Sequence, residues 1–208
     1  MAYKSFMILG VMSDSHGNVA MMQKAADLMV KKFGVEAIVH LGDDYADAQK
    51  LDPRGRALYA VPGMYEAAWM DDNVSHRLIK DFGGVVFLIS HTPTRDKHDK
   101  HGDMNPGRAM SKYGAQVLLH GHTHKFGVMK AIDGLIVINP GHLKSETDRG
   151  AMPTFAVIDV KEPDISVKFV DLEGEVLDSH ELTVAKVPLT PPCEEPYKPG
   201  PDEESSIG

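Results

Sequence analysis

One cysteine, Cys193, stands in 208 residues. No disulfide can close within the chain, which speaks for a reducing compartment and against redox chemistry. Long apolar runs are also missing. The N-terminal run at 6–12 falls well short of the about 20 residues a membrane helix needs, shows no cleavage-site pattern, and runs straight into Asp14 and His16. A cytoplasmic protein with no membrane partner is expected. Nor is there a lysine or arginine run of the kind that grips a DNA or RNA backbone through several phosphates. A generic nucleic-acid grip is excluded by this reading, while a small nucleotide-like substrate is not, and self-association is left open.

What is present is an ordinary globular composition, 42% hydrophobic and 25% charged, enough for one sizeable core. Of the formal charge of -8, a net -4 comes from residues 190–208, where Glu194, Glu195, Asp202, Glu203 and Glu204 face only Lys198. The body is therefore mildly acidic. The chain divides into one domain over 1–186 and a proline-rich acidic tail over 187–208 that is expected to be disordered.

The first half reads as strand, helix, strand. A buried strand at 6–12 is followed by apolar residues at 19, 22, 26, 29, 30 and 33, the period of an amphipathic helix, with Asn18 placed to cap it and Gly34 to end it. Further strands are predicted at 37–42, 56–61, 75–82, 83–90 and 115–121. Asp133-Gly134 separates two apolar runs in the manner of a hairpin, and three more strand candidates follow, so an α/β first half gives way to a strand-rich second half.

The polar residues fall in a pattern. Directly after successive strands come Asp14 and His16, then Asp43 and Asp44, then His91, then His122 and His124 in "GHTH", with His120 inside the strand before them. Each alone has a structural explanation, in a tight turn or a satisfied buried histidine. Together, four strand exits deliver carboxylates and imidazoles to one rim, the place where open α/β sheets bind ligands. A shared metal site explains all four. The set is too large for one catalytic zinc, which uses three protein ligands, and it suits two ions. Mixed nitrogen and oxygen donors point to manganese, iron, zinc or nickel, with manganese favoured, rather than to calcium or magnesium.

The ordered series "DSH", "GD", a strand-final histidine, "GHTH" and "NPG" over residues 6–160 resembles the calcineurin-like metallophosphoesterases, in particular the small YfcE-like phosphodiesterases that share a branch with Vps29. The resemblance implies a four-layer αββα sandwich of two mixed sheets flanked by helices. It implies a dinuclear centre in which Asp14, His16 and His124 hold one metal, His91 and His122 the other, and Asp43 bridges. A water bridging the two metals would then attack a phosphodiester. His120 matches no ligand and is expected to be structural, while Asp44 and Asn139 are candidate supports for the imidazoles. Asn18, Tyr65, Glu66 and Arg95 are candidate substrate contacts.

One departure stands out. Where the family usually shows an asparagine ligand, this chain has Met64 in "VPGMYE", and a thioether suits manganese or zinc poorly. Solvent, Glu66 or Asn73 could take the vacant position. Tyr65 falls where some branches carry a proton-donating histidine, and its ordinary pKa of about 10 makes it a weak donor. The polar connection at 92–108, with Arg95, Lys97, Lys100, Arg108, His98 and His101, reads either as part of the substrate mouth or as a solvated loop whose charges cancel against Asp96, Asp99 and Asp103. The rival to an enzyme is a catalytically weak or inactive Vps29-like interaction scaffold.

Overall fold

The structure, a computed structural model, describes residues 6–186 except Ile132; the expected acidic tail at 187–208 lies outside the described residues. Strands β1 (Met7–Met12), β2 (Ala37–His40) and β3 (Ala57–Ala60) run parallel. On the other side of β1, β9 (Thr154–Lys161), β10 (Asp164–Asp171) and β11 (Val176–Thr183) complete an antiparallel extension, in the order β11-β10-β9-β1-β2-β3. A second sheet has the order β4-β5-β6-β8-β7, built from β4 (Arg77–Phe82), β5 (Val85–Ser90), β6 (Val117–Leu119), β7 (Gly127–Lys130) and β8 (Ile136–Asn139). Its central three strands are parallel and its edges antiparallel. The hairpin expected across Asp133-Gly134 is the β7–β8 pair.

The central strands β1, β2, β5, β6 and β8 are buried on both faces because each sheet is covered on both sides at its centre. Between the sheets, Leu9, Val11 and Val39 meet Phe87, Ile89, Leu119 and Ile138, all fully buried. Outside the first sheet lies α1 (Val19–Lys31), whose Met22, Ala25, Ala26 and Met29 pack on Ile38, Phe155 and Val157. Outside the second lies α4 (Ala109–Tyr113), where Ala109 packs in one cluster with Leu88, Leu118 and Val137. This is the expected αββα sandwich. At about 1.5–3 kcal/mol for each large side chain removed from water, these layers are the main source of stability. Among the described residues no helix is long and apolar enough to cross a membrane.

Two short helices sit on the rim, α2 (Tyr45–Lys50) and α3 (Ala67–Met70). The connection at 92–108 keeps an exposed outer side, and Arg95–Asp99 and His98–Asp96 pair within it, but it is also anchored to the second sheet. Buried Arg77 on β4 donates to Ser90 Oγ (3.0 Å), Thr92 Oγ1 (3.2 Å), the Met104 carbonyl (2.9 Å) and Asp99 Oδ1 (2.9 Å), and the Asp99 side chain has no exposed surface. His76 bonds Asp103 Oδ2 and the Trp69 carbonyl, both at 2.7 Å, and stacks on the Trp69 ring at 3.8 Å. A buried guanidinium needs several acceptors at once, and the loop supplies them.

Candidate metal centre

Because β1 and β2 are parallel in one sheet and β5 and β6 in the other, all four end on one rim. The turns that leave them zip together through the backbone. Asp14 N–H donates to the Gly42 carbonyl and His16 N–H to the Asp43 carbonyl, both at 2.9 Å, and Gly121 N–H reaches the His91 carbonyl at 3.0 Å. Asp14 also accepts the His122 N–H through both carboxylate oxygens at 3.1 Å. A Cβ on Gly121 would overlap Ser13 Oγ and Asp14 Oδ2, so only glycine lets the two turns approach this closely.

These turns are strained in a telling way. Asp14, His16, Asp43, His122 and His124 all have positive φ, between 45° and 68°. Left-handed backbone costs a non-glycine residue on the order of 1 kcal/mol or more, and such residues concentrate where function requires them. Five of the six residues expected to ligate metal are held this way.

Two donor groups result. Asp14, His16, Asp43 and His124 can each bring one ligand atom within 4.8 Å of the others, and so can Asp43, His91 and His122. Asp43 belongs to both, and its two oxygens face opposite ways: Oδ2 lies 3.4 Å from His16 Nε2, Oδ1 3.3 Å from His91 Nε2. In the first group His124 Nε2 lies 3.2 Å from Asp14 Oδ1 and 3.3 Å from His16 Nε2.

The fit to a cation can be judged from the imidazoles. His91 Nδ1 lies 2.8 Å from the Leu41 carbonyl, which can only accept, so Nδ1 carries the proton. His91 Nε2 is then a buried atom with no hydrogen-bond partner, and in the neutral ring its lone pair faces a carboxylate oxygen. Likewise His124 Nδ1 donates to Asp148 Oδ2 at 2.5 Å, which turns Nε2 toward Asp14 and His16. Lone pairs converging on carboxylates repel each other unless a positive charge lies among them, a charge that a divalent ion would supply and that a proton on His124 supplies in its absence.

The titration behaviour agrees. Burial pushes the Asp43 carboxyl up to about 6, with the Asp14 charge adding to the effect. Burial also opposes ionisation of Asp14, but the hydrogen bond from His124 and the fields of His91 and His124 outweigh it and hold this carboxyl below its ordinary value. His124 is correspondingly raised, first by its bond to Asp14. His16, His91 and His122 are lowered, mainly by desolvation, and so offer neutral nitrogens. A cavity of about 300 Å³ opens on this centre, lined by His16, Asp43, Asp44, Met64, Tyr65, Glu66 and His122.

The other expected residues divide. Tyr65 and Glu66 line the cavity, but both Glu66 oxygens are taken by backbone, from Tyr45 N–H at 2.6 Å and from Gly63 N–H, so Glu66 is a brace rather than a ligand. Asn18 caps α1 by accepting from Met21 N–H and donates to the Lys144 carbonyl, each at 3.1 Å. Arg95 lies off the cavity near Asp99, and Asn73 bonds Asp71 in an exposed turn. Asn139 braces the GHTH turn through Gly121 O (2.8 Å), Thr123 Oγ1 (2.9 Å) and Gly141 N–H (2.9 Å). His120 is buried just past β6 and bonded at Nδ1 to the Gly121 carbonyl.

Sequence reasoning missed Asp148, Lys144 and Arg149, which lie on the connection between β8 and β9. The bond from Lys144 holds the Asp148 carboxyl down to about 2, ionised and ready to orient His124. It also missed Asp47, a buried carboxylate that accepts Ser15 Oγ–H at 2.9 Å and Gly17 N–H at 2.7 Å and so fixes the turn carrying His16. No motif marks these positions; for Lys144, Asp148 and Arg149 the one signal was the polarity of the connection at 142–153, directly after "NPG".

Comparison with known proteins gives a match of residues 7–163 to the calcineurin-like phosphoesterase superfamily domain. A phosphodiesterase of Methanocaldococcus jannaschii is 25% identical over 168 residues, 74% of this chain and 94% of its own. A probable metallophosphoesterase of Mycoplasma pneumoniae is 26% identical over 158 residues, 75% of this chain and 91% of its own. Among solved structures, a predicted phosphoesterase of Streptococcus pneumoniae superposes with a TM-score of 0.64 at 22% identity, over 88% of this chain and 99% of that one. Vacuolar Protein Sorting 29 of Cryptosporidium parvum does so with a TM-score of 0.63 at 16% identity, over 86% and 98%. These last two speak for the fold.

Two outcomes are expected. In chelator-treated protein the folded state holds the Asp43 proton more tightly than the unfolded chain, so this group lowers stability as pH rises from 3.8 to about 6. Metal-free Asp43→Asn should therefore unfold at higher temperature than the metal-free parent at pH 7.5 and not at pH 4; equal melting at both would refute the buried-charge account. Separately, Asp148→Ala should weaken metal affinity roughly 10- to 100-fold in calorimetric titration, the usual effect of losing an imidazole's orienting partner.

Proposed function

Because the chain belongs to the calcineurin-like phosphoesterase superfamily, we propose that it hydrolyses phosphodiesters at a dinuclear centre formed by Asp14, His16, Asp43 and His124 on one side and Asp43, His91 and His122 on the other. The observation that carries this reading is Asp43, whose two oxygens each face a different group of imidazoles. Manganese is the favoured ion, since the donors are imidazole and carboxylate with no thiolate, and Met64 is too soft to take part. When bound, two divalent ions polarise phosphoryl oxygens and make water a nucleophile at neutral pH.

The protein's own groups prepare that chemistry. The Leu41 carbonyl and Asp148 fix the tautomers of His91 and His124, so that both present Nε2 inward. Lys144 and Arg149 surround Asp148, and Arg149 also donates to the His122 carbonyl at 3.2 Å. Their fields act on the neighbouring histidines and would draw an anionic ester toward the rim. Asp44 and Glu66 on the cavity wall oppose a second negative charge there, which favours a singly charged diester over a doubly charged monoester. The volume suits a small phosphodiester or nucleotide-like substrate, the two that the sequence left open.

A scaffold of the same fold is the competing reading. The six donors, five of them kept in strained backbone, and the tautomer-fixing partners of His91 and His124 favour chemistry over it. The manganese-loaded protein should cleave bis(p-nitrophenyl) phosphate faster than p-nitrophenyl phosphate, and Asp43→Asn should lose on the order of a hundredfold or more in kcat/KM. Undiminished turnover by that variant would sink the proposal.

A further inference from the structure

Tyr65 is out of keeping with its surroundings. It holds positive φ (67°) like the metal-facing residues, yet its side chain is 72% exposed at the mouth of the cavity. Strained backbone that presents an aromatic ring to solvent, on the wall of a site, has no packing purpose. The strain is held from below, where Glu66 clamps the turn by accepting from Gly63 and Tyr45 N–H.

A second ring stands against it. His98 meets Tyr65 edge-on, with centroids 4.6 Å apart and planes at 71°. His98 is fixed at three points: Asp96 Oδ1 accepts its backbone N–H (2.9 Å) and its Nδ1–H (2.7 Å), and Trp69 Nε1 on α3 donates to its carbonyl (3.1 Å). Trp69 is in turn stacked on buried His76. Met64 adds a polarisable thioether to the same wall, and Asp44, whose side chain caps no helix, adds a hydrogen-bond acceptor. The wall thus combines the Tyr65 ring, a thioether and a carboxylate, with His98 packed against Tyr65 from outside the lining, while Lys144 and Arg149 act on the neighbouring histidines.

We propose that Tyr65, supported by His98 and Met64, is a stacking platform for a planar, nitrogen-bearing ring in the organic half of the ester, so that the substrate is a nucleoside-like phosphoester. This rests on the phosphoesterase reading and adds to it the residues that select the organic group. A ring on Tyr65 can place its N–H donors toward Asp44 while its phosphate lies at the donor groups. The position that cannot ligate metal, Met64, becomes part of the binding wall. Tyr65 acts here through its ring face, and its hydroxyl has no role.

The experiment uses the full chain loaded with manganese and three probes, inorganic phosphate, ribose 5-phosphate and AMP, titrated by calorimetry. AMP should bind roughly tenfold more tightly than ribose 5-phosphate, the size of one base-aromatic stack. Tyr65→Ala should abolish that ratio, Tyr65→Phe should keep it and His98→Ala should reduce it, while inorganic phosphate binds each variant within about twofold of the parent. A ratio near one in the parent, or a ratio that survives Tyr65→Ala, overturns the platform and leaves the phosphoesterase reading standing if phosphate still binds. A ratio lost in Tyr65→Phe assigns the work to the hydroxyl and also overturns it. No binding of phosphate at all overturns both.

Discussion

The rim of this protein is organised by an electrostatic requirement: imidazole nitrogens and carboxylate oxygens from four strand exits point at one another across 3.2 to 3.4 Å. Such an arrangement is unfavourable without positive charge among the donors. In the metal-free chain protons supply part of it, which is why His124 is raised while Asp43 gives up its proton only near pH 6. Nearly every other feature of the rim serves to keep the donors in place against that repulsion. The left-handed turns, the Asp14 carboxylate spread over the His122 N–H, and the buried Asp47 brace all belong to this effort.

The sandwich makes the convergence possible. Two sheets, each with parallel strands at its centre, put four carboxyl ends on one edge, and the core between them holds the turns in register. The apolar layers are ordinary; the turns are not. The connection at 92–108 extends the same logic outward, since buried Arg77 and His76 fasten it to the second sheet, and its His98 packs against Tyr65.

Much of this was legible in the sequence because its signals are local. Apolar runs bounded by turn residues marked every strand, Asn18 marked the start of α1, and the placement of Asp14, Asp43, His91 and His122 after strands marked the rim. What stayed hidden depends on contacts distant in the chain. Asp148 meets His124 from 24 residues away, and Asp47 meets Ser15 across 32. The charges of 92–108 appeared to cancel among themselves because the loop's true partner, Arg77, reads in sequence as one more polar residue of a half-buried strand. Glu66 looked like a spare ligand since nothing in its spacing reveals two backbone N–H groups waiting for it. Met64 was visible as a missing ligand, but its place on the cavity wall beside Tyr65 required the turn's geometry.

The central claim is that the two donor groups sharing Asp43 each hold a divalent ion. Metal content per chain, measured by mass spectrometry after loading the purified protein with manganese and removing the excess, tests it most directly. Two equivalents in the parent, with loss of at least one in Asp43→Asn, is the expected result. A parent that saturates at one equivalent or none, or an Asp43→Asn variant that still holds two, would contradict it.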